Sequence, residues 1–257
     1  MALVNASLDG GIALFELNAP PANTYSYEMM RELDAHVLEA RFDPGVHVIV
    51  LTGAGDKFFC TGADIKMLEG ADPYFKYNFC LHANETLCRL EQTPKLVIAA
   101  VNGHCVGGGL EIALACDLRI ARAGAGKMGL PEVSLGVLPG TGGTQRLARA
   151  VGRAKAIELM AEGTTFSLEE AKGLGLVSAI IETAPGEFRA KALEYARRFV
   201  PPAKASRAVG FIKRSVRSLA AVHESVGFDV EQQRCGAIGR SFARIATAIR
   251  VRVCGCF

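Results

Sequence analysis

Two glutamates, Glu111 and Glu132, stand in apolar stretches where a charged side chain is disfavoured unless it has a partner or a task. Glu111 lies among Leu, Ile and Ala residues, and Glu132 follows Pro131 in an otherwise apolar stretch. Two carboxyl groups in an apolar pocket can give and take protons, because burial and their mutual repulsion separate their pKa values. Taken singly, each glutamate also fits a structural interpretation, Glu111 as a capping residue and Glu132 as the partner of a loop amide.

Three successive glycines, Gly107 to Gly109, precede Glu111 and predict the start of a helix. After them the pattern changes to Leu110–Ala115, which has helical propensity. A helix start carries unpaired backbone N–H groups and a partial positive charge, and without Cβ atoms an anion can approach it closely. We therefore expect an oxyanion site near Gly108.

A buried strand must deliver the chain to this helix, and Leu96–Val101 is a continuous apolar run of the right length. Further strands are predicted at Leu3–Leu8, Ile12–Leu17, His47–Thr52, Asp117–Ala121 and Leu176–Ile181. Further helices are predicted at Tyr27–Ala40, Phe75–Glu91, Thr144–Val151, Arg153–Glu162, Leu168–Leu174, Pro185–Val200 and Ala203–Ala221. Glycines and prolines punctuate residues 129–147, which indicates a shaped loop. This order of elements indicates a mixed α/β domain with crossover connections.

Composition and charge exclude several classes of protein. At 257 residues, half of them hydrophobic, the chain can bury a substantial core. Its net charge of +3 does not by itself indicate nucleic-acid binding, although residues 204–257 hold ten Lys or Arg against three acidic residues. The eight cysteines show no zinc-site spacing and are expected to be reduced, mostly buried thiols. Without a signal peptide or a run of about 18 apolar residues, we expect a soluble, cytoplasmic protein.

Five stretches in order resemble the crotonase superfamily, and most of all enoyl-CoA hydratase. They are Phe58–Lys66, Lys95–Gly103, Gly107–Ala113, Gly129–Glu132 and Pro139–Leu147. The match is collinear from about residue 3 to about residue 231. Each stretch alone is a weak signal, but five in order at the spacing of the family are a specific one.

The resemblance implies an α/β fold in which ββα units form a spiral, followed by a helical C-terminal oligomerisation segment. We expect the spiral core within residues 1–200 and the helical segment within residues 201–257. It also implies a homotrimer or a dimer of trimers. The expected activity is that of a hydro-lyase of fatty acid β-oxidation, which adds water syn to a trans-2-enoyl-CoA and gives a 3-hydroxyacyl-CoA. Coenzyme A is then part of the substrate, and neither a separate cofactor nor a metal is expected.

The site residues of the family carry over by position. The oxyanion hole would be formed by the backbone N–H groups of Ala63 and Gly108, and the catalytic glutamates would be Glu111 and Glu132. We expect Glu111 to activate the water and Glu132 to protonate Cα, although the two roles can be shared. The positions expected to border the acyl-CoA are Asn23, Ala63, Asp64, Ile65, Lys66, Gly107, Gly108, Pro131 and Gly140.

Alternatives stay open within and outside the superfamily. An enoyl-CoA isomerase, a decarboxylase or an acyl-CoA hydrolase would use the same oxyanion hole with other acid and base residues; having both Glu111 and Glu132 favours a hydratase. The basic C-terminal end also raises the alternative of an RNA-binding relative. Clustered arginines at a terminus are commonly just solvated, so this feature alone does not favour that alternative. Two positions depart from the family: Leu130 replaces a polar residue of many hydratases, and from Gln232 onward the chain carries five arginines and no carboxylate.

Overall fold

Ten short strands are present in the part of the chain that the structure, a computed structural model, describes, which is residues 2–219. They are β1 (Val4–Asp9), β2 (Ile12–Leu17), β3 (Val48–Gly53), β4 (Phe58–Cys60), β5 (Leu96–Val101), β6 (His104–Val106), β7 (Leu118–Arg122), β8 (Lys127–Gly129), β9 (Thr165–Ser167) and β10 (Ala179–Ile181). All of them belong to a compact unit that ends at Gly210. The boundary predicted at residue 200 stays a prediction, and the atypical tail from residue 232 lies outside the described residues.

The strands form two sheets. A six-stranded sheet has the order β1-β2-β3-β5-β7-β10, in which only the β1–β2 pair is antiparallel. A four-stranded sheet has the order β4-β6-β8-β9, in which only the β8–β9 pair is antiparallel. Each successive pair, β3–β4, β5–β6 and β7–β8, therefore contributes one strand to each sheet before the chain enters a helical segment. This repeat confirms the predicted spiral of ββα units.

Nine α-helices fill the connections within the described residues. They are α1 (Tyr27–Phe42), α2 (Ile65–Glu69), α3 (Pro73–Gln92), α4 (Gly108–Ala115), α5 (Gly143–Val151), α6 (Arg153–Glu162), α7 (Leu168–Gly173), α8 (Phe188–Arg197) and α9 (Ser206–Leu219). Their starts follow ordinary capping chemistry: the Asp72 side chain accepts the Phe75 N–H ahead of α3, with Pro73 in the first turn. None of the helices within residues 2–219 combines the length and apolar content of a membrane span.

The central strand β5 is covered on both faces, and this explains its unbroken apolar sequence. Val97, Ala99 and Val101 belong to one hydrophobic cluster, which includes residues of α1, α3 and α4. The alternate residues Leu96, Ile98 and Ala100 belong to a second cluster, which includes residues of α8. Since full burial of one aliphatic side chain stabilises a fold by about 1.5–3 kcal/mol, a strand with two buried faces is a strong anchor for the helix that follows.

The four-stranded sheet was not predicted from the sequence. Its strands are three residues long, which is too short for an alternating pattern to be recognised. The segment interpreted as an irregular loop, residues 129–147, begins at the end of β8, contains a 3-10 turn at Glu132–Leu135 and enters α5 at Gly143. These differences matter because, as described below, the short sheet carries the candidate site.

Helix α4 packs so closely on the β4 segment that only glycine fits at its second position. A Cβ atom at Gly109 would lie 2.0 Å from the carbonyl oxygen of Cys60. Cys60 is fully buried, so its backbone would have to shift inside the packed core. We therefore expect Gly109→Ala to lower the free energy of unfolding by about 3 kcal/mol, as overpacking does. Urea denaturation of the two proteins measures this difference.

The matched control is Gly173→Ala at the end of α7, where a Cβ atom would meet nothing within 4 Å and the backbone φ is not positive. Alanine there should leave stability unchanged or raise it by about 0.5–1 kcal/mol, because it has the higher helix propensity. Equal stabilities of the Gly109→Ala and Gly173→Ala proteins would contradict the close packing of α4.

Candidate active site

Three neighbouring parallel strands of the short sheet end beside one another, and each leads into one part of the candidate site. The chain reaches Ala63 after β4, Gly107 and Gly108 after β6, and Glu132 after β8. The carboxyl ends of neighbouring parallel strands meet at one edge of a sheet, which brings side chains and amides of distant sequence together. A hydrogen bond from the Gly107 N–H to the Gly129 carbonyl (2.9 Å) joins the last two of these segments.

Glu111 is the buried carboxylate of the site, with 2 % of its surface exposed. It lies one turn into α4, and its N–H donates to the Gly107 carbonyl. Three donors point at its carboxylate: the N–H groups of Thr141 (2.9 Å) and Gly143 (2.6 Å) bind Oε1, and the Thr141 hydroxyl binds Oε2. Helix α4 thus presents Glu111 to the start of the next helix, α5, whose first N–H, that of Gly143, is one of these donors.

A buried ion pair anchors the loop that holds Glu111. Arg146, with 6 % of its surface exposed, donates to the carbonyl of Thr141 through one terminal nitrogen and to Glu91 Oε2 (2.8 Å) through the other. Glu91 belongs to α3 and is also buried. Breaking this ion pair would leave an unpaired charge in the protein interior, which is costly. Arg146 therefore stays in place, and through its bond to the Thr141 carbonyl it fixes the path of residues 139–143 over α4.

Glu132 is the second carboxyl group, and its surroundings differ from those of Glu111. It begins the 3-10 turn after β8 and is partly buried. Its Oε1 would lie 3.3 Å from a Cβ atom at Gly107, and its Oε2 has no hydrogen-bond partner among the described residues. The pKa of Glu132 is raised to about 7, mainly by burial and to a smaller extent by the charge of Glu111. Near neutral pH this group therefore exchanges a proton readily.

The two predicted oxyanion amides lie on adjoining segments. A Cβ atom at Gly62 would be 3.2 Å from the Gly108 nitrogen, so the residue before Ala63 contacts the start of α4. Tyr25 bridges to Ala63 through the two neighbouring residues: its N–H binds the Gly62 carbonyl and its carbonyl accepts from Asp64. In such a parallel bridge the N–H of Ala63 itself is not used, and it points away from Tyr25.

The remaining predicted positions fall into two groups. Asp64, Ile65 and Lys66 form the start of α2 next to Ala63; Ile65 and Lys66 are exposed, and Asp64 caps the helix by accepting the Lys66 and Met67 N–H groups. Pro131 precedes the 3-10 turn. Gly140 is exposed, and a Cβ atom at this position would lie 3.4 Å from the sulfur of Cys80.

The side chain of Asn23 binds backbone groups of the protein itself. It is 2 % exposed, accepts the Ala19 N–H, and donates to the carbonyls of Ala54 (3.0 Å) and Phe58 (2.9 Å). Both amide protons are thus used inside the protein, and the left-handed backbone of Asn23 (φ 51°) is one that asparagine tolerates. A contact with substrate at this position is left to its backbone.

Sequence reasoning missed three residues of the site: Thr141, Gly143 and Tyr25. The first two stand in the stretch Pro139–Leu147 that carried the family resemblance, but nothing in the sequence indicates that this loop folds onto Glu111. Tyr25 is buried, and its phenol oxygen would be 2.4 Å from a Cβ atom at Gly108. In the sequence, Tyr25 comes just before Ser26, the N-cap residue of α1, and this position indicates only a core residue.

Comparison with known proteins identifies the family of this chain. The model of the family described as enoyl-CoA hydratase/isomerase matches residues 7–240. The chain therefore belongs to the enoyl-CoA hydratase/isomerase family, and the predicted membership is confirmed.

Similar proteins include two bacterial hydratases and a solved structure. A short-chain-enoyl-CoA hydratase of Clostridium acetobutylicum is 40 % identical over 193 residues, which cover 75 % of this chain and 73 % of the relative. An (E)-benzylidenesuccinyl-CoA hydratase of Thauera aromatica is 40 % identical over 204 residues, covering 79 % and 78 %. A crystal structure of an enoyl-CoA hydratase from Geobacillus kaustophilus superposes with a TM-score of 0.86 at 38 % identity, covering 98 % of this chain and 94 % of that one.

The raised pKa of Glu132 predicts a pH-dependent stability. Between its ordinary pKa of 4.5 and its folded value of about 7, the folded chain holds a proton that the unfolded chain has lost. The stability from this group is complete below pH 4.5 and is lost as the pH rises through about 7. The free energy of unfolding of the wild type relative to Glu132→Gln should therefore decrease over this interval, as measured by urea denaturation at a series of pH values.

An exposed glutamate on α2 provides the control. Glu69→Gln alters a carboxyl group at the surface, and its stability relative to the wild type should show no comparable trend. A difference between wild type and Glu132→Gln that stays constant from pH 4.5 to 7 would refute the raised pKa.

Proposed function

We propose that the chain is an enoyl-CoA hydratase, which adds water across the double bond of a trans-2-enoyl-CoA. The observation that carries this proposal is the unlike environment of two neighbouring carboxyl groups, Glu111 with three donors and Glu132 with a pKa of about 7. Hydration requires one group that takes a proton from water and another that delivers a proton to carbon. The hydratases among its relatives support the same reaction.

The amides of Ala63 and Gly108 would bind the thioester oxygen. When water adds at Cβ, negative charge moves through Cα to this oxygen, and two oriented N–H donors stabilise the enolate as it forms. Gly108 is the first residue of α4, so the partial positive charge of that helix start assists it. The loss of one such donor typically raises the barrier by about 3 kcal/mol.

Glu111 would act as the base and Glu132 as the acid. The Glu111 carboxylate accepts three hydrogen bonds, whereas a carboxylate has about four acceptor positions, so one position remains for a proton of the attacking water. Glu132 holds its own proton up to a pH of about 7 and can pass it to Cα. Delivery of both groups from one side of the substrate gives syn addition.

Removal of either carboxyl group tests the proposal. Glu111→Gln and Glu132→Gln should each lower kcat for crotonyl-CoA by about 10²- to 10⁴-fold, because each removes one positioned proton transfer. The loss of absorbance of the enoyl thioester measures the rate. The control is Glu85→Gln on the exposed side of α3. Near-native hydration by either variant, with its fold intact by circular dichroism, would remove that residue from the reaction.

The acyl-CoA would lie along residues 63–66, where Lys66 is the exposed cation at the start of α2. If Lys66 binds a phosphate of coenzyme A, Lys66→Ala should raise KM for crotonyl-CoA several-fold and leave kcat nearly unchanged, because binding is lost equally in the ground and transition states. Steady-state kinetics with crotonyl-CoA and with crotonyl-pantetheine distinguish a contact with the nucleotide from a contact with the rest of the substrate, since pantetheine lacks the nucleotide.

Lys172→Ala on α7 is the matched control for an exposed lysine. An equal rise of KM for both thioesters would contradict a phosphate contact of Lys66.

The proposal further includes assembly as a trimer or a dimer of trimers and a role in fatty acid β-oxidation. Relatives named for a short-chain and for an aromatic acyl group support the common hydration reaction and leave the length and branching of the acyl chain open.

A further inference from the structure

Thr141 contacts Glu111 twice, and these contacts determine which part of the carboxylate is left for substrate. Oε1 accepts two N–H groups, those of Thr141 (2.9 Å) and Gly143 (2.6 Å), while Oε2 accepts only the Thr141 hydroxyl. Since each carboxylate oxygen has about two acceptor positions, Oε1 is complete and one position on Oε2 remains. The Thr141 hydroxyl occupies the neighbouring position on that same oxygen.

We propose that Thr141 is a positioning residue, whose hydroxyl orients Glu111 so that the last acceptor position of Oε2 faces the attacking water. This inference rests on the proposed hydratase function and adds to it a residue that acts through Glu111 and does not itself touch the substrate. Its backbone N–H would hold the carboxylate in place, and its hydroxyl would select the direction in which the proton leaves the water.

Tyr25 is a further neighbour of Thr141 at the start of α4. Its ring packs on the start of α4, where a Cβ atom at Gly108 would be 2.4 Å from the phenol oxygen. The side chain of Thr141 lies near this phenol. Burial raises the pKa of Tyr25, and Glu111 adds to the rise, so the phenol keeps its proton.

The direction of the hydrogen bonds follows from the protons available. Thr141 has one hydroxyl proton, and this proton goes to Glu111 Oε2. Because an ionised carboxylate only accepts, Thr141 is the donor in this contact. Its hydroxyl proton is therefore committed to Oε2 and occupies one of the two acceptor positions of that oxygen.

The path of the loop does not depend on the Thr141 hydroxyl, so the two roles can be separated by experiment. Arg146, paired with Glu91, holds the carbonyl of Thr141. The N–H groups of Thr141 and Gly143 are backbone donors, which valine, serine or alanine at position 141 leaves in place. Thr141→Val keeps the volume and the backbone donors and removes only the hydroxyl.

The test compares Thr141→Val with Thr141→Ser by the hydration of crotonyl-CoA. Loss of a hydrogen bond to a charged group should lower kcat of Thr141→Val by about 10- to 100-fold, with KM changed less than about twofold. Thr141→Ser should recover most of the rate, because serine keeps the hydroxyl.

Thr144→Val, two residues before Arg146 in α5, is the matched control, because the Thr144 hydroxyl makes none of the hydrogen bonds to Glu111 given above. If Thr141→Val does not fold, Thr141→Ala carries the same comparison with Thr141→Ser. Wild-type kcat in a folded variant without the hydroxyl, or equal losses in it and in Thr141→Ser, overturn the inference. Full activity of Glu111→Gln would instead overturn the proposed function, so the two failures are distinct.

Discussion

The burial of one negatively charged group, the Glu111 carboxylate, is the constraint around which the candidate site is organised. A carboxylate that is 2 % exposed is tolerated only when donors replace the water it has lost, and here the loop at residues 139–143 supplies them. The same requirement explains Gly143, where a Cβ atom would lie 2.8 Å from Oε1 of Glu111. It also explains why the buried pair of Arg146 and Glu91 stands behind the loop.

Glu132 shows the opposite solution for a carboxyl group in nearly the same place. It receives no donor on Oε2 from the described residues, and burial therefore favours its neutral form. The difference between the two groups arises from their surroundings: Glu111 on α4 receives the donors of the loop at residues 139–143, whereas Glu132 begins a short 3-10 turn. Proton transfer in both directions needs such a difference, since two equal groups would compete for the same proton state.

Much of this was predictable from the sequence where the pattern was long or chemically unusual. The six apolar residues of β5, the glycines before α4 and the two glutamates in apolar surroundings each carry a local signal. The structure brings Gly108, Glu111 and Glu132 together around Gly107. The predicted helix at Arg153–Glu162 has the bounds of α6. Long periodic segments are the ones that local patterns describe well.

The rest depends on contacts that no local pattern encodes. The strands β4, β6 and β8 have three residues each, and they become a sheet only because successive turns of the spiral stack. Thr141 is 30 residues from Glu111 along the chain, and its hydroxyl is an ordinary loop feature until the fold places it there. Asn23 was expected beside the substrate, while its side chain serves the backbone of residues 54 and 58.

The distribution of the site over β4, β6 and β8 has a consequence for how such an enzyme can diversify. The reacting groups follow strands that are hydrogen-bonded to one another, whereas the segment after Glu132 leaves the sheet and exposes Leu135, Val137 and Leu138 to solvent. Replacements in that outer segment alter the apolar surface next to the acid without shifting the strands that aim it. Under the proposed function, such replacements would change the acyl groups that the site accepts while Glu111 and Glu132 keep their positions.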